Sequence, residues 1–220
     1  NDGIGVKRHL LVTNDFPPKV GGIQNYLWEL WRRLPPDQFA VMTTPHPGAE
    51  QWDRTQPYKI VRDKNKVLLP HPRLAQRIRD EAAAMEAELV VLDPALPLGH
   101  LGPSLGLPYA VVLHGAEITV PGRLPISRHL LGRVLRKSEF VLSAGGYAAK
   151  EGELAAKTSL AVKEIPPGVD TERFKPLSSV ERKYIRDRYG LHSGPLILAV
   201  SRLVPRKGFD RLIRAVDLVR

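Results

Sequence analysis

His9-Leu10-Leu11-Val12-Thr13-Asn14-Asp15-Phe16-Pro17-Pro18-Lys19-Val20-Gly21-Gly22-Ile23-Gln24 is the stretch that decides the fold. It opens on a short apolar strand, His9 to Thr13, of the kind that is buried on both faces of a parallel sheet. Pro17-Pro18 stiffens the turn that follows, and Gly21-Gly22 opens a helix. Over Gly22 to Leu34 the apolar residues Ile23, Leu27, Leu30, Trp31 and Leu34 repeat at helical spacing, and Pro35-Pro36 ends the run. With no Cβ at Gly22, its backbone N–H is free to approach a phosphate. The other reading of the glycine pair is close helix packing alone. The loop carries neither a G-x-G-x-x-G fingerprint nor a Walker lysine, which argues against a nicotinamide enzyme or a P-loop ATPase.

Working outward, strands alternate with helices, the pattern of an α/β fold with a mostly parallel sheet. The further strands are expected at Phe39 to Thr43, Tyr58 to Arg62, Leu89 to Asp93, Tyr109 to His114, Phe140 to Ala144 and Val162 to Ile165. A second helix is expected over Arg73 to Glu88, with Leu74, Ile78, Ala82 and Met85 inward. Thr44 to Gln56 is polar and proline-containing and reads as loop; Val180 to Tyr189 reads as a short helix. Arg123 to Lys137 forms a basic amphipathic segment. Leu130, Leu131, Val134 and Leu135 share one side, while Arg128, Arg133, Arg136 and Lys137 lie elsewhere. Such a helix can lie on anionic lipid or dock on the sheet, and the stripe is only as wide as docking requires.

The second informative stretch is Pro195-Leu196-Ile197-Leu198-Ala199-Val200-Ser201-Arg202-Leu203-Val204-Pro205-Arg206-Lys207-Gly208. An uncharged strand, Pro195 to Val200, leads through a loop carrying Arg202 and Lys207 to a helix beginning near Gly208, whose apolar positions are Phe209, Leu212, Ile213, Val216 and Val219. Arg202 and Lys207 beside a helix N-terminus can grip a diphosphate. On spacing alone they read equally as solvated loop cations.

Four ordered segments carry a family resemblance: Thr13 to Gln24, His114-Gly115-Ala116-Glu117, Pro166-Pro167-Gly168-Val169-Asp170 with Arg173-Phe174, and Ser201 to Gly208. Together they resemble the retaining, two-domain glycosyltransferases of the GT-B fold, family 4, and within it the PimB-like phosphatidyl-myo-inositol mannosyltransferases. The resemblance implies a Rossmann-like parallel sheet flanked by helices as an N-terminal, acceptor-side domain over 1–170. Residues 171–220 then hold the interdomain linker and only the first strand and helix of the nucleotide-sugar-binding C-terminal domain. It further implies mannose transfer from GDP-mannose to a phosphatidylinositol mannoside with retention of configuration.

By the same resemblance Arg202, Lys207, Gly21, Gly22 and His114 face the donor, and Asp15, Gly22 and Gln24 the acceptor. His114 orients the donor sugar, and His114, Arg202 and Lys207 form the catalytic set. Glu117 reads as a local hydrogen-bonding or helix-start residue. No cofactor and no metal are expected. A diphosphate oxygen takes the acceptor's proton, so no protein base is needed. The enzyme is expected to be cytoplasmic and peripherally held on the anionic inner face of the plasma membrane. A family 4 transferase with another nucleotide sugar and a soluble acceptor is the nearest alternative, and a non-catalytic module binding anionic lipid the next. A chain of this length is expected to be inactive by itself.

Composition agrees with this reading without deciding it. The chain has 220 residues, 43% of them hydrophobic and 25% charged, enough for a substantial core. With no cysteine, disulfides and cysteine-ligated zinc are excluded. No apolar run is long enough to span a bilayer, and no signal-peptide h-region begins the sequence. A net charge of +10 and a pI near 10.0 favour polyanionic partners. Nucleic acid is not among those expected, because aromatics are only 6% of the chain and a single-strand binder interleaves them with its cations. No Asp-x-Asp or His-Glu-x-x-His occurs, and the pairs Glu86/Glu88 and Glu151/Glu153 are expected on helices, where residues two apart diverge.

Overall fold

The computed structural model describes residues 6–115 and 125–218, so Ala116, Glu117, Arg123, Leu124 and Val219 lie outside the described residues. The chain divides into two compact units, 1–168 and 169–220.

The first unit is a seven-stranded sheet with every ladder parallel, in the order β3-β2-β1-β4-β5-β6-β7. The strands are β1 (His9–Thr13), β2 (Phe39–Thr43), β3 (Lys59–Arg62), β4 (Leu89–Asp93), β5 (Tyr109–Leu113), β6 (Val141–Ser143) and β7 (Val162–Glu164). Each falls within a residue of its expected bounds. Alternation along β1 explains why both faces need covering: Leu10 and Val12 enter one buried cluster and Leu11 the other. Helix α1 (Gly22–Trp31) supplies Leu27 and Trp31 to the second cluster. The first cluster is closed by residues from α3 (Pro72–Ala84), a 3-10 helix (Leu98–Ser104), α4 (Pro125–Lys137) and α5 (Gly146–Ala156). Because β1 leads outward to β2 on one side while β4 lies on the other, the order reverses between β1 and β4. Ligands of open α/β sheets bind at the carboxyl ends of the strands at such a reversal.

Several expectations need correction. Thr44 to Gln56 is not all loop: α2 (Ala49–Asp53) forms there after Gly48, whose φ of 74° is left-handed. Trp52 holds it edge-on against Phe16, and Asp53 receives a fork from Arg62 at 2.8 and 2.7 Å. Helix α1 stops at Trp31, short of Leu34. Helix α3 starts one residue early because the His71 side chain caps Leu74 N–H at 3.2 Å with Pro72 in the first turn. It ends at Ala84, and Glu86 has a φ of 54°, so Glu86 and Glu88 lie in the turn into β4 and not on a helix. Glu151 and Glu153 do lie on a helix, α5.

The basic helix α4 spends its apolar stripe inside the molecule. Leu131, Val134 and Leu135 are buried in the first core cluster, which leaves the exposed Arg128, Arg133, Arg136 and Lys137 for solvent or a surface partner. Docking on the sheet therefore accounts for the stripe.

Residues 195–200 form no strand: Leu196 is 52% exposed and Val200 85%. A parallel strand is stable only beside a paired neighbour, and unit 169–220 supplies none. That unit holds α6 (Ser179–Arg188), a 3-10 turn (Pro205–Lys207) and α7 (Phe209–Leu218). Helix α6 begins in a capping box, with Ser178 accepting from Glu181 N–H and Glu181 accepting from Ser178 N–H.

At the start of β1, His9 places Nδ1 2.7 Å from the Lys7 carbonyl and Nε2 2.8 Å from Trp31 Nε1–H. These contacts fit the neutral ring, with Nδ1–H donating and Nε2 accepting. Burial lowers the pKa of His9 below 6.5, against the opposing pull of the Lys7 carbonyl. Since the unfolded chain then binds the proton more readily, stability is full above the unfolded pKa and is lost as the pH falls through it, down to the folded value. Melting temperatures measured from about pH 8 to about pH 5 are expected to fall more steeply for the wild type than for His9→Gln. Identical slopes would show that His9 does not drive the dependence.

Candidate active site

Three strand ends assemble the candidate site at the carboxyl edge of the sheet. Thr13 ends β1 and Asp93 ends the neighbouring β4, directly in register. His114 follows β5. Thr13 Oγ1–H donates to Asp93 Oδ2 at 2.6 Å, and the Asp15 backbone N–H donates to Thr13 Oγ1 at 2.9 Å. On its other oxygen, Asp93 Oδ1 stands 2.6 Å from His114 Nε2. The Asp93 side chain is 1% exposed and that of His114 7%, so the pair is sealed from bulk water. A buried carboxylate needs such partners, because an unpaired one costs far more than its hydrogen bonds return.

Tyr26 of α1 completes the wall. Its ring meets His114 edge-on at 5.6 Å, and its hydroxyl donates to the Ile165 carbonyl at 2.6 Å. Burial, with the Asp93 charge adding to it, pushes the Tyr26 phenol up to about 12, so it stays neutral and a donor.

On the β1–α1 loop, Asp15 Oδ1 accepts from Gln24 Nε2 at 2.6 Å and from Lys19 Nζ at 2.7 Å. Gln24 is buried and lies back over Gly21, where an added Cβ would stand 2.2 Å from Gln24 Oε1. A side chain at position 21 would therefore displace the end of Gln24 from this position beside Asp15. Gly22 differs: a Cβ there meets nothing within 4 Å. Helix packing does not explain Gly22, and the space above it is open to a ligand. No side chain caps α1, so its first-turn N–H groups face that space uncapped. The edge thus combines a backbone anion site, a polar loop and an oriented imidazole, a set suited to holding a hydroxyl-rich substrate rather than to nucleophilic attack.

The structure brings Asp15, Gly21, Gly22, Gln24 and His114 to one edge of the first unit. Arg202 and Lys207 lie in the second unit, both exposed and without a side-chain partner among the described residues. There the chain makes its 3-10 turn, Gly208 takes a φ of 67°, and α7 begins at Phe209. Asp210 occupies the first turn of α7, so a carboxylate already partly answers that helix N-terminus. Glu117 lies outside the described residues. Among the described residues no cluster of three metal-ligating side chains occurs. The sequence reading missed Thr13 as a partner, and Asp93 and Tyr26 altogether. A charged residue closing the apolar strand Leu89-Val90-Val91-Leu92 was the available signal for Asp93.

Thr13→Val is expected to keep the shape and delete both hydrogen bonds, leaving Asp93 Oδ2 and Asp15 N–H short of a partner. Chemical denaturation should show a loss of about 1–3 kcal/mol. A change under about 0.5 kcal/mol, the range of an ordinary surface substitution, would mean the chain of bonds is not formed.

The fold is that of a Rossmann-like domain of GT-B glycosyltransferases. HepE of Anabaena, solved in complex with UDP, superposes with a TM-score of 0.72 at 19% identity, covering 95% of this chain and 57% of that one. The chain is similar in sequence to the PimB-like branch, as its motifs implied. It is 37% identical over 98% of its length to the GDP-mannose-dependent alpha-(1-6)-phosphatidylinositol monomannoside mannosyltransferase of Mycobacterium tuberculosis, and 38% identical over 96% to the enzyme of that name from Mycolicibacterium smegmatis. The chain spans 58% and 57% of the length of these two relatives. No family model matches it.

Proposed function

We propose that the protein acts as a GT-B mannosyltransferase, moving mannose from GDP-mannose to a phosphatidylinositol mannoside with retention of configuration. The observation that carries this reading is the similarity to the two mycobacterial mannosyltransferases, which runs through nearly the whole chain and includes all four motifs. The sheet edge supports it. His114, fixed by Asp93, orients the donor sugar through a hydroxyl contact. Asp15, Gly22 and Gln24 receive the acceptor, and Gly21 lets Gln24 take its place.

Arg202 and Lys207 offset the charge that grows on the leaving diphosphate, stabilising the transition state where charge appears. A diphosphate oxygen accepts the proton of the attacking hydroxyl, so the bond to mannose forms and the bond to diphosphate breaks on the same face. The two relatives are named for a lipid acceptor, so this protein meets its substrate at a bilayer. No described helix is long and apolar enough to cross one. A net charge of +10 favours peripheral attachment to anionic lipid at the cytoplasmic face.

Calorimetric titration of the protein, extended to the length of its relatives, with GDP-mannose and separately with UDP-glucose tests the donor assignment. Tighter binding of GDP-mannose is expected. Preference for UDP-glucose would reject the donor and leave the fold standing.

A further inference from the structure

A groove of about 550 Å³ lies on the face of the sheet covered by α3 and α4, and it shares no residue with the sheet-edge site. The 3-10 helix Leu98–Ser104 contributes to its lining between them. Five basic side chains line it: His71 and Arg79 of the α3 segment, His100 of the 3-10 helix, and Arg133 and Lys137 of α4. Among the described residues no acidic residue does.

Local pairing does not quench this charge. Neither the 3-10 helix nor α4 contains a carboxylate. Of the two on α3, Glu81 pairs with Lys59 at 2.9 Å, and Asp80 accepts from Gln76 at 2.8 Å without pairing directly with a cation. Glu139, just beyond α4, pairs with Lys7 at 2.6 Å. By contrast Arg77, two residues from Arg79, has its own carboxylate in Asp63. Arg79 is held by neutral acceptors only, Nη1 donating to the Ser104 carbonyl at 3.1 Å and Nη2 to Gln76 Oε1 at 2.7 Å. Its guanidinium is thus oriented with no carboxylate in direct contact, Asp80 reaching it only through Gln76. The His71 ring, whose Nδ1 accepts Leu74 N–H, carries its neutral-state proton on Nε2 and offers a further donor.

We propose that this groove binds a phosphate-bearing ligand. An oriented Arg79 beside Arg133 and Lys137, with no carboxylate among the lining residues described, matches the charge of a phosphate, which accepts several charge-assisted hydrogen bonds at once. The volume lies in the range of small-molecule sites and exceeds what one phosphate needs, so the ligand carries its phosphate on a larger group. Two sources share that chemistry, the phosphodiester headgroup of an anionic lipid and a soluble phosphate ester. The site stands independently of the proposed mannosyl transfer.

The test uses the 220-residue chain in two arms. In one, inorganic phosphate is titrated while the Arg79 side-chain signals are followed by NMR. In the other, co-sedimentation is measured with vesicles of phosphatidylinositol in phosphatidylcholine and with phosphatidylcholine alone. Arg133→Gln with Lys137→Gln, both at exposed positions, is compared with Arg128→Gln with Lys150→Gln, which removes the same charge outside the groove. Binding in at least one arm is expected to weaken about tenfold or more in the groove variant and to stay within about twofold in the control. Loss confined to the vesicle arm identifies the headgroup, and loss confined to the phosphate arm the soluble ester. Absence of binding in both arms, or equal loss in the two double variants, would overturn the proposal.

Discussion

Arg202→Ala and Lys207→Ala, each made in the protein extended to the length of its mycobacterial relatives, are expected to lower turnover by about tenfold or more. The motive is electrostatic. As the bond from mannose to diphosphate breaks, negative charge grows on the phosphate oxygens, and a cation held in place there lowers the barrier without reorganising. Removing one such donor costs about 2.7–4 kcal/mol, roughly a hundredfold or more, in well-studied sites, so a tenfold loss is a lower bound. Neither side chain is buried or bonded among the described residues, so melting temperature should not move. Asp210 sharpens the expectation, because its carboxylate already opposes an anion at the start of α7 and leaves more of the work to the two side chains. Full turnover in both variants would remove the diphosphate role.

The second large effect concerns the chain alone. The 220-residue chain is expected to show no measurable mannosyl transfer, and adding the portion of the relatives that it does not match should restore it. The chain spans 58% of the length of its Mycobacterium tuberculosis relative, so the rest of that enzyme's length has no counterpart in it. Exposed apolar side chains at Leu196, Ile197, Leu198 and Val200 mark a strand sequence awaiting sheet neighbours. Sugar transfer in a water-excluded cleft depends on closure around the donor. Transfer by the chain alone, purified free of any longer enzyme, would contradict this.

The first sheet was legible because each strand is an uninterrupted apolar run between turn residues, and His9 to Thr13 and Leu89 to Asp93 needed no tertiary information. What escaped were features that depend on partners distant in sequence. Helix α2 is one turn long, too short for periodicity, and forms because Trp52 meets Phe16 and Asp53 meets Arg62. Pro195 to Val200 has the composition of a strand, yet strand structure belongs to the ladder and not to the segment. The candidate site was half visible. His114 and the loop from Asp15 to Gln24 stood out through family motifs. Asp93 and Tyr26 act through contacts spanning 21 and 139 residues, to His114 and Ile165, which no local pattern encodes. The absence of a Cβ neighbour at Gly22 distinguished ligand access from packing, a choice that the sequence left open.

The most direct test of the mannosyltransferase assignment is turnover with labelled donor by the protein extended to the length of its relatives, supplied with GDP-mannose and a phosphatidylinositol monomannoside in mixed vesicles. A dimannosylated lipid that keeps the donor's anomeric configuration is the predicted product. Failure to transfer mannose to that lipid, with sugar passing instead from a UDP donor to a soluble acceptor, would contradict the account.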